Sequence, residues 1–244
     1  MIEARGLEKH FGAVTAIRGV SLRAADGRVT GLLGPNGAGK STTLRILSTV
    51  LRPNAGDALI DGSSVVAHPL EARRRIGVLP HGAGVYPHLS ARENIEYFGA
   101  LHGLGREERA RRANELISLL ELTDIAERPA RGFSQGERLK TALARALIHQ
   151  PRNILLDEPT NGLDVMAVRN LRALLGRLRS EGHCVLFSSH IMQEVAALCD
   201  DIVVMAHGTV VASGTPDDLR ARTACSDLEE AFVRLAGAEA QPPI

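Results

Sequence analysis

Tryptophan is absent, and aromatic residues make up only 3% of the 244-residue chain. Stacking platforms for bases are therefore scarce. An excess of either charge is missing too: 29 Lys and Arg stand against 28 Asp and Glu, a formal net charge of +1. That balance argues against a dedicated nucleic-acid binder, whose footprint is basic. The three cysteines, Cys184, Cys199 and Cys225, lie far apart. They fit a reducing cytosol and exclude a disulfide framework. No apolar run reaches the roughly 18 residues of a membrane span. Met1-Ile2-Glu3-Ala4-Arg5 lacks the basic-then-apolar layout of a signal peptide. The expectation is a soluble, cytoplasmic chain, with any membrane role coming through a partner. The nine histidines include no close pair at metal-ligand spacing, so packed or solvated roles are their default.

What is present in quantity is apolar residues, 44% of the chain, enough for a sizeable core. One stretch stands out. Gly34-Pro35-Asn36-Gly37-Ala38-Gly39-Lys40-Ser41 lies between the apolar run Val29 to Leu33 and a helix-like run, Thr42 to Leu51. That is strand, glycine loop, helix, with the pattern G-x-x-x-x-G-K-S/T at the join. Glycines let the backbone fold around an anion with its N–H groups pointing inward. The following helix adds the positive end of its dipole. Lys40 is placed to reach outer phosphates and Ser41 to offer its hydroxyl to Mg2+.

Around the loop the pattern alternates. Residues 1–33 read as β-rich, with a turn at Ala25 to Arg28. A strand at Ala58 to Ile60, a short helix at Pro69 to Arg75 and a strand at Ile76 to Leu79 follow. The basic end Arg73-Arg74-Arg75 suits a helix C-terminus. Residues 82–150 read as an all-helical insert, with a capping box at Ser90 to Glu93 opening a helix to about Leu101. A second helix covers Arg106 to Leu120, its charges a solvated face. Strands at Asn153 to Asp157 and His183 to Ser188 then alternate with helices at Val165 to Arg179 and Ile191 to Leu198. Ile202 to Met205 with Thr209 to Ala212 reads as a final hairpin, and residues 236–244 as a frayed tail. Strands alternating with helices predict a parallel sheet with covered faces.

Three clusters downstream add chemistry. Asn153 to Leu156 is an apolar strand ending in Asp157 and Glu158. Asp157 is placed to hold Mg2+ through water, and Glu158 to polarise an attacking water. Ser134-Gln135-Gly136-Glu137 heads a helix to about Gln150. A capping box by itself accounts for Ser134 and Glu137, and the same helix end can present donors to a phosphate. Ser188-Ser189-His190 ends a strand, where open α/β sheets put ligands. A lone histidine there is either structural or a contact for a γ-phosphate.

Taken in order, these motifs resemble the ATP-binding subunit of an ABC transporter over about residues 2–235. Ile76 to Pro80, Tyr86 to Asn94 and the ending Asp227 to Phe232 look most like the NatA-type and drug-export-type ATPases that pair with ABC-2-like permeases. The resemblance implies a P-loop NTPase with a RecA-like α/β core, an N-terminal antiparallel β-subdomain and the helical insert, one domain over 1–235. It implies ATP and Mg2+ as cofactors. Phe11 would stack on adenine. Gly34 to Ser41 (Gly34, Pro35, Asn36, Gly37, Ala38, Gly39, Lys40, Ser41), with Thr42 beside it, matches Walker A. Asp157 and Glu158 match Walker B and the catalytic base, and His190 the switch histidine. Phe133 to Glu137 matches the signature motif, usually Leu-Ser-Gly-Gly-Gln. Asn161-Gly162-Leu163-Asp164 matches the D-loop. Two copies would face head to tail, each ATP lying between one chain's Walker A and the other's Ser134 and Gly136. Partners would be that second copy and a membrane permease on the cytoplasmic face, with no nucleic acid.

Two positions depart. Gln135 replaces a glycine of the signature. His81 stands where the family usually has a Gln that helps ligate Mg2+, a metal that prefers oxygen. Either water replaces the Gln oxygen and His81 serves coupling, or the change is permissive. A rival function is a soluble ABC ATPase acting on ribosomes or DNA, although such chains usually carry two cassettes or a long coiled-coil insertion. A regulator that binds ATP without turnover is a second rival. The transported substrate is not encoded here.

Overall fold

The computed structural model describes residues 1–225 and 227–237. In chain order the strands are β1 (Ile2–Phe11), β2 (Val14–Ala24), β3 (Val29–Leu33), β4 (Ala55–Ile60), β5 (Ser63–Ser64), β6 (Ile76–Leu79), β7 (Asn153–Asp157), β8 (Cys184–Ser189), β9 (Asp201–Ala206) and β10 (Thr209–Gly214). The helices are α1 (Lys40–Leu47), α2 (Pro69–Arg74), α3 (Ala91–Leu101), α4 (Arg106–Leu119), α5 (Gln135–Leu147), α6 (Val165–Ser180), α7 (Met192–Leu198), α8 (Pro216–Thr223) and α9 (Leu228–Gly237).

Six strands form one sheet in the order β10-β9-β3-β8-β7-β6. Its four parallel pairings join β9, β3, β8, β7 and β6, and β10 adds antiparallel to β9. β3, β7 and β8 are buried along their whole length because both faces are covered. Side chains alternate across a strand, and the two cores divide accordingly. Ile154 and Leu156, with Val185 and Phe187, enter one core together with residues of α3, α4, α5 and α6. Leu155 and Leu186 enter the other, against Ile2, Leu7, Ile17 and α1.

A second sheet, order β2-β1-β4-β5, is antiparallel and lies over the second core. The β-rich N-terminal stretch thus divides. β3 leaves the antiparallel sheet for the parallel one, and β4 and β5, which follow the glycine loop in sequence, complete the antiparallel sheet. The amide of Arg18 donates to the carbonyl of Gly208 at 2.8 Å, tying β2 to the β9–β10 turn.

Most helix bounds fall where the sequence puts them. α3 opens on the Ser90–Glu93 capping box and α5 on the Ser134–Glu137 box. α1 ends at Leu47, short of the expected Leu51, because Thr49 turns into the left-handed region at φ 62°. α8 and α9 are additional to the expected elements. Residues 236 and 237 belong to α9, while 238–244, the rest of the expected frayed tail, lie outside the described residues. No described helix is long and apolar enough to cross a membrane.

Candidate functional site: a nucleotide site at the strand ends

β3 delivers the glycine loop and α1 receives it. Gly39, the N-cap of α1, has φ 99°, and a Cβ there would stand 2.6 Å from Ile17 Cγ2 and 2.9 Å from the Ala16 carbonyl. Only glycine fits that conformation in that space. α1 also differs from α3 and α5 at its start. It has no side-chain cap and no acidic residue in its first turn, whereas α3 and α5 have both. Its first-turn amides and dipole are left to an external anion.

Lys40 is buried. Its ammonium donates to the carbonyls of Gly34 at 2.7 Å and Pro35 at 3.1 Å, and lies 3.6 Å from Glu158 Oε1. Burial lowers its pKa from the ordinary lysine value, against the carboxylates of Glu158 and Asp157, which raise it. The loop therefore holds a desolvated cation close to two acids.

Asp157 and Glu158 sit at the end of β7, one strand removed from β3. Asp157 Oδ1 accepts from Ser41 Oγ at 3.1 Å and from Ser188 Oγ at 2.7 Å. Ser188 Oγ in turn accepts from the Glu158 amide at 3.0 Å. Glu158 Oε2 lies 3.1 Å from His190 Nδ1. A single path of hydrogen bonds thus runs Ser41, Asp157, Ser188, Glu158, His190 across three strand ends. Glu158 holds φ 51°, a conformation costly for a residue with a Cβ. Such strain persists only where neighbours hold it.

The signature residues lie beside this centre. Ser134 Oγ accepts from the Glu137 amide at 3.2 Å, and Glu137 Oε2 accepts from the Ser134 amide at 2.7 Å. Arg128 reaches both Glu137 oxygens at 2.8 and 2.9 Å. Burial pushes the Glu137 pKa up, but the Ser134 amide and Arg128 outweigh it and hold the carboxyl below its ordinary value. Gln135 Nε2 donates to the Asn161 carbonyl at 3.0 Å, joining the signature to the D-loop within one chain. Gly162 sits at φ 72°, and a Cβ there would stand 2.4 Å from Gln135 Nε2, so the Gln135 side chain would have to move. Asp164 caps α6, accepting from the Ala167 amide at 2.8 Å.

Phe11 is half exposed at the end of β1, with the Lys9 ammonium 5.5 Å from its ring centroid. His81 is exposed and lines a cleft of about 400 Å³ with Gln135, Asp157, Glu158 and Asn161. Thr42 follows Ser41 in the first turn of α1 and is part-buried. The sequence reading did not find Ser188 as the clamp on Asp157, nor Thr160 and Glu194 behind Glu158. Nothing local marks them, because each bonds to a residue distant in the chain.

A glycine loop between a parallel strand and an uncapped helix, with an acidic pair on another strand of the sheet, defines a P-loop nucleoside triphosphatase. The comparisons give the narrower class. Residues 17–161 match the ABC transporter family. The chain is 43% identical over 221 residues to the ABC transporter ATP-binding protein NatA of Bacillus subtilis (strain 168), covering 90% of each chain. It is 40% identical over 236 residues to the daunorubicin resistance ATP-binding protein DrrA3 of Streptomyces coeruleorubidus, covering 97% of this chain and 74% of the relative. An ATP-binding subunit of an ABC transporter superposes with a TM-score of 0.88 at 28% identity, over 96% of this chain and 99% of that one. A dimeric cassette in a post-hydrolysis state with ADP and Pi gives 0.80 at 28% identity, over 88% and 98%. This chain belongs to the ABC transporter family. It is an ATP-binding cassette that hydrolyses ATP.

Proposed function

We propose that this cassette powers export through a separate permease of the ABC-2-like kind, from the cytoplasmic face of the membrane, and that ATP pairs two copies head to tail. The observation that carries the reading is the hydrogen-bonded path from Ser41 to His190, which brings together side chains suited to phosphate, metal and water. Relatives named for daunorubicin resistance and Nod factor export support the transport direction.

In this reading the α1 amides and Lys40 hold the β- and γ-phosphates, charged oxygens replacing the two neutral carbonyls that Lys40 now meets. Mg2+ fits the donors present, since the Ser41 hydroxyl and the Asp157 carboxylate offer the oxygens a hard cation prefers. When bound, Mg2+ would neutralise charge on the phosphates. Glu158 accepts the proton of the attacking water, and His190 contacts the γ-phosphate or orients that water. Phe11, half exposed, is available to stack on adenine.

One glycine loop covers one side of a γ-phosphate. Ser134, Gln135, Gly136 and Glu137 of a second copy would cover the other, with the Asp164 region beside them. Val165 and Met166, 84% and 61% exposed next to Asp164, are apolar surface that such a copy would bury. At His81, water takes the place of the usual Gln oxygen and the imidazole couples the site to the insert.

Co-purification of this chain with a six-helix ABC-2-like permease, and ATP-dependent transport by that complex, tests the reading. Co-purification with ribosomes or DNA instead would refute it. A His81→Gln variant with unchanged Mg2+ dependence and unchanged transport would remove the coupling role.

A further inference from the structure

Glu158 and His190 come from the ends of two strands, β7 and β8, yet their side chains lie 3.1 Å apart. Each is followed or preceded by a hydroxyl residue. Thr160 stands two residues after Glu158, and Ser189 immediately before His190. Both hydroxyls converge on one atom. Glu194 Oε2, on α7, accepts from Thr160 Oγ1 at 2.5 Å and from Ser189 Oγ at 3.0 Å. Glu194 is 8% exposed, and Thr160 and Ser189 are buried with it. Ser189 Oγ also accepts from the Ile191 amide at 3.0 Å, which fixes the turn after His190.

A buried carboxylate is costly unless hydrogen bonds answer it. Two hydroxyl donors to a charged oxygen are strong bonds of the charge-assisted kind. The apolar surroundings of α7 would favour a hydrophobic residue at this point, so the acid fits a positioning task better than a packing one. The task is visible in the backbone. Glu158 sits at φ 51° and is held in front by Ser188. Behind it, Thr160 is held by Glu194, which also holds the segment leading to His190.

We propose that Glu194 is a positioning residue for catalysis. By binding Thr160 and Ser189 through one oxygen, it fixes the two segments whose ends carry the base and its histidine. Small displacements of such a pair cost rate far more than affinity. Phosphate contacts at α1 and Lys40 do not pass through Glu194, so ATP binding is left in place. The proposal rests on Glu158 being the general base.

The test is steady-state ATP turnover by the full chain, with kcat and KM read separately. Glu194→Ala is expected to lower kcat by about tenfold while KM for ATP stays within about twofold. Glu194→Gln keeps a carbonyl oxygen that can accept both hydroxyls, and is expected to restore kcat to within about threefold of wild type. Val195→Ala, truncating the next buried residue of α7, controls for loss of stability and is expected to keep kcat within about twofold. Wild-type kcat in Glu194→Ala, or an equal loss of kcat in Val195→Ala at the same shift in melting temperature, overturns the proposal. If Glu194→Ala does not fold, Thr160→Val carries the test, and unchanged kcat there overturns it equally. Glu158→Gln run alongside separates the two readings. Turnover surviving in Glu158→Gln removes the base, whereas turnover lost there but unaltered in Glu194→Ala removes only the positioning role.

Discussion

At the scale of single residues, the site is a set of charges held out of water. Glu158 Oε2 lies 3.1 Å from His190 Nδ1, and Oε1 faces Lys40 at 3.6 Å. Replacing it by Gln keeps the shape and removes the basic oxygen. Glu158→Gln is expected to cut turnover by at least about 10²-fold while retaining ATP binding, measured by phosphate release beside equilibrium nucleotide binding. Another residue carries its charge rule far from the site. His149 Nε2 lies 3.1 Å from the Ile76 carbonyl, and its ring stacks on His102 at 3.6 Å between centroids. Burial first, then the neighbouring His102, push its pKa down to about 4. Arg45, Arg73 and Arg145 line the same cleft, so no acid there opposes the shift. A folded-state value below the unfolded one means that acid favours the unfolded chain, which binds the extra proton. Stability from this residue is full above about pH 6.5 and is lost as pH falls towards 4. Between about pH 7 and about pH 5 the loss amounts to about 2 kcal/mol. His149→Gln keeps a donor for Ile76 and should show a correspondingly smaller loss in urea unfolding at the two pH values.

Helix starts illustrate how one element serves two purposes. α3 and α5 open with the same capping box, built from Ser90 and Glu93 in one and Ser134 and Glu137 in the other. Ser90→Ala and Ser134→Ala should each cost about 1 kcal/mol of stability. ATP turnover should fall only in Ser134→Ala, because only the α5 box is proposed to meet a nucleotide. Equal turnover in the two variants would leave Ser134 a cap and nothing more. Gly162 makes the D-loop a second sensitive element. Its φ of 72° and the closeness of Gln135 predict that Gly162→Ala disturbs the Gln135–Asn161 bond. Pairing it with Gln135→Gly should recover part of the lost turnover, since the clash goes while the backbone strain stays.

For the whole molecule, the two cores share one sheet, so the glycine loop and the acidic pair are fixed relative to each other by buried strand residues on both faces. Phe187, fully buried at the centre of one core, is where truncation should be felt most. Phe187→Ala is expected to lose about 3–5 kcal/mol in denaturant unfolding. Pairing of two copies belongs to this scale as well. Glu158→Gln with ATP should elute as a dimer in size-exclusion chromatography with light scattering, and return to monomer when ATP is withdrawn. A monomer at all ATP concentrations would contradict ATP-driven pairing.

The sequence by itself determined the local chemistry. The glycine loop, the capping boxes of α3 and α5 and the apolar strand ending in Asp157 and Glu158 are each written in contiguous residues, whose backbone preferences act over a few positions. α8 was not read, although Thr215, Pro216 and Asp218 spell a capped start, because its apolar face is too small to register as periodic. Sheet membership was not legible. Residues 1–33 read together as one β-rich stretch, and only packing sends β1 and β2 to the antiparallel sheet and β3 to the parallel one. The bonds of Ser188 to Asp157 and of Glu194 to Thr160 lay outside the sequence reading for the same reason. Ser188 is 31 residues from Asp157, and Glu194 is 34 from Thr160. Distances of that kind are set by strand order and helix packing, not by neighbours in the chain, so the tertiary structure alone decided which side chains stand beside Glu158.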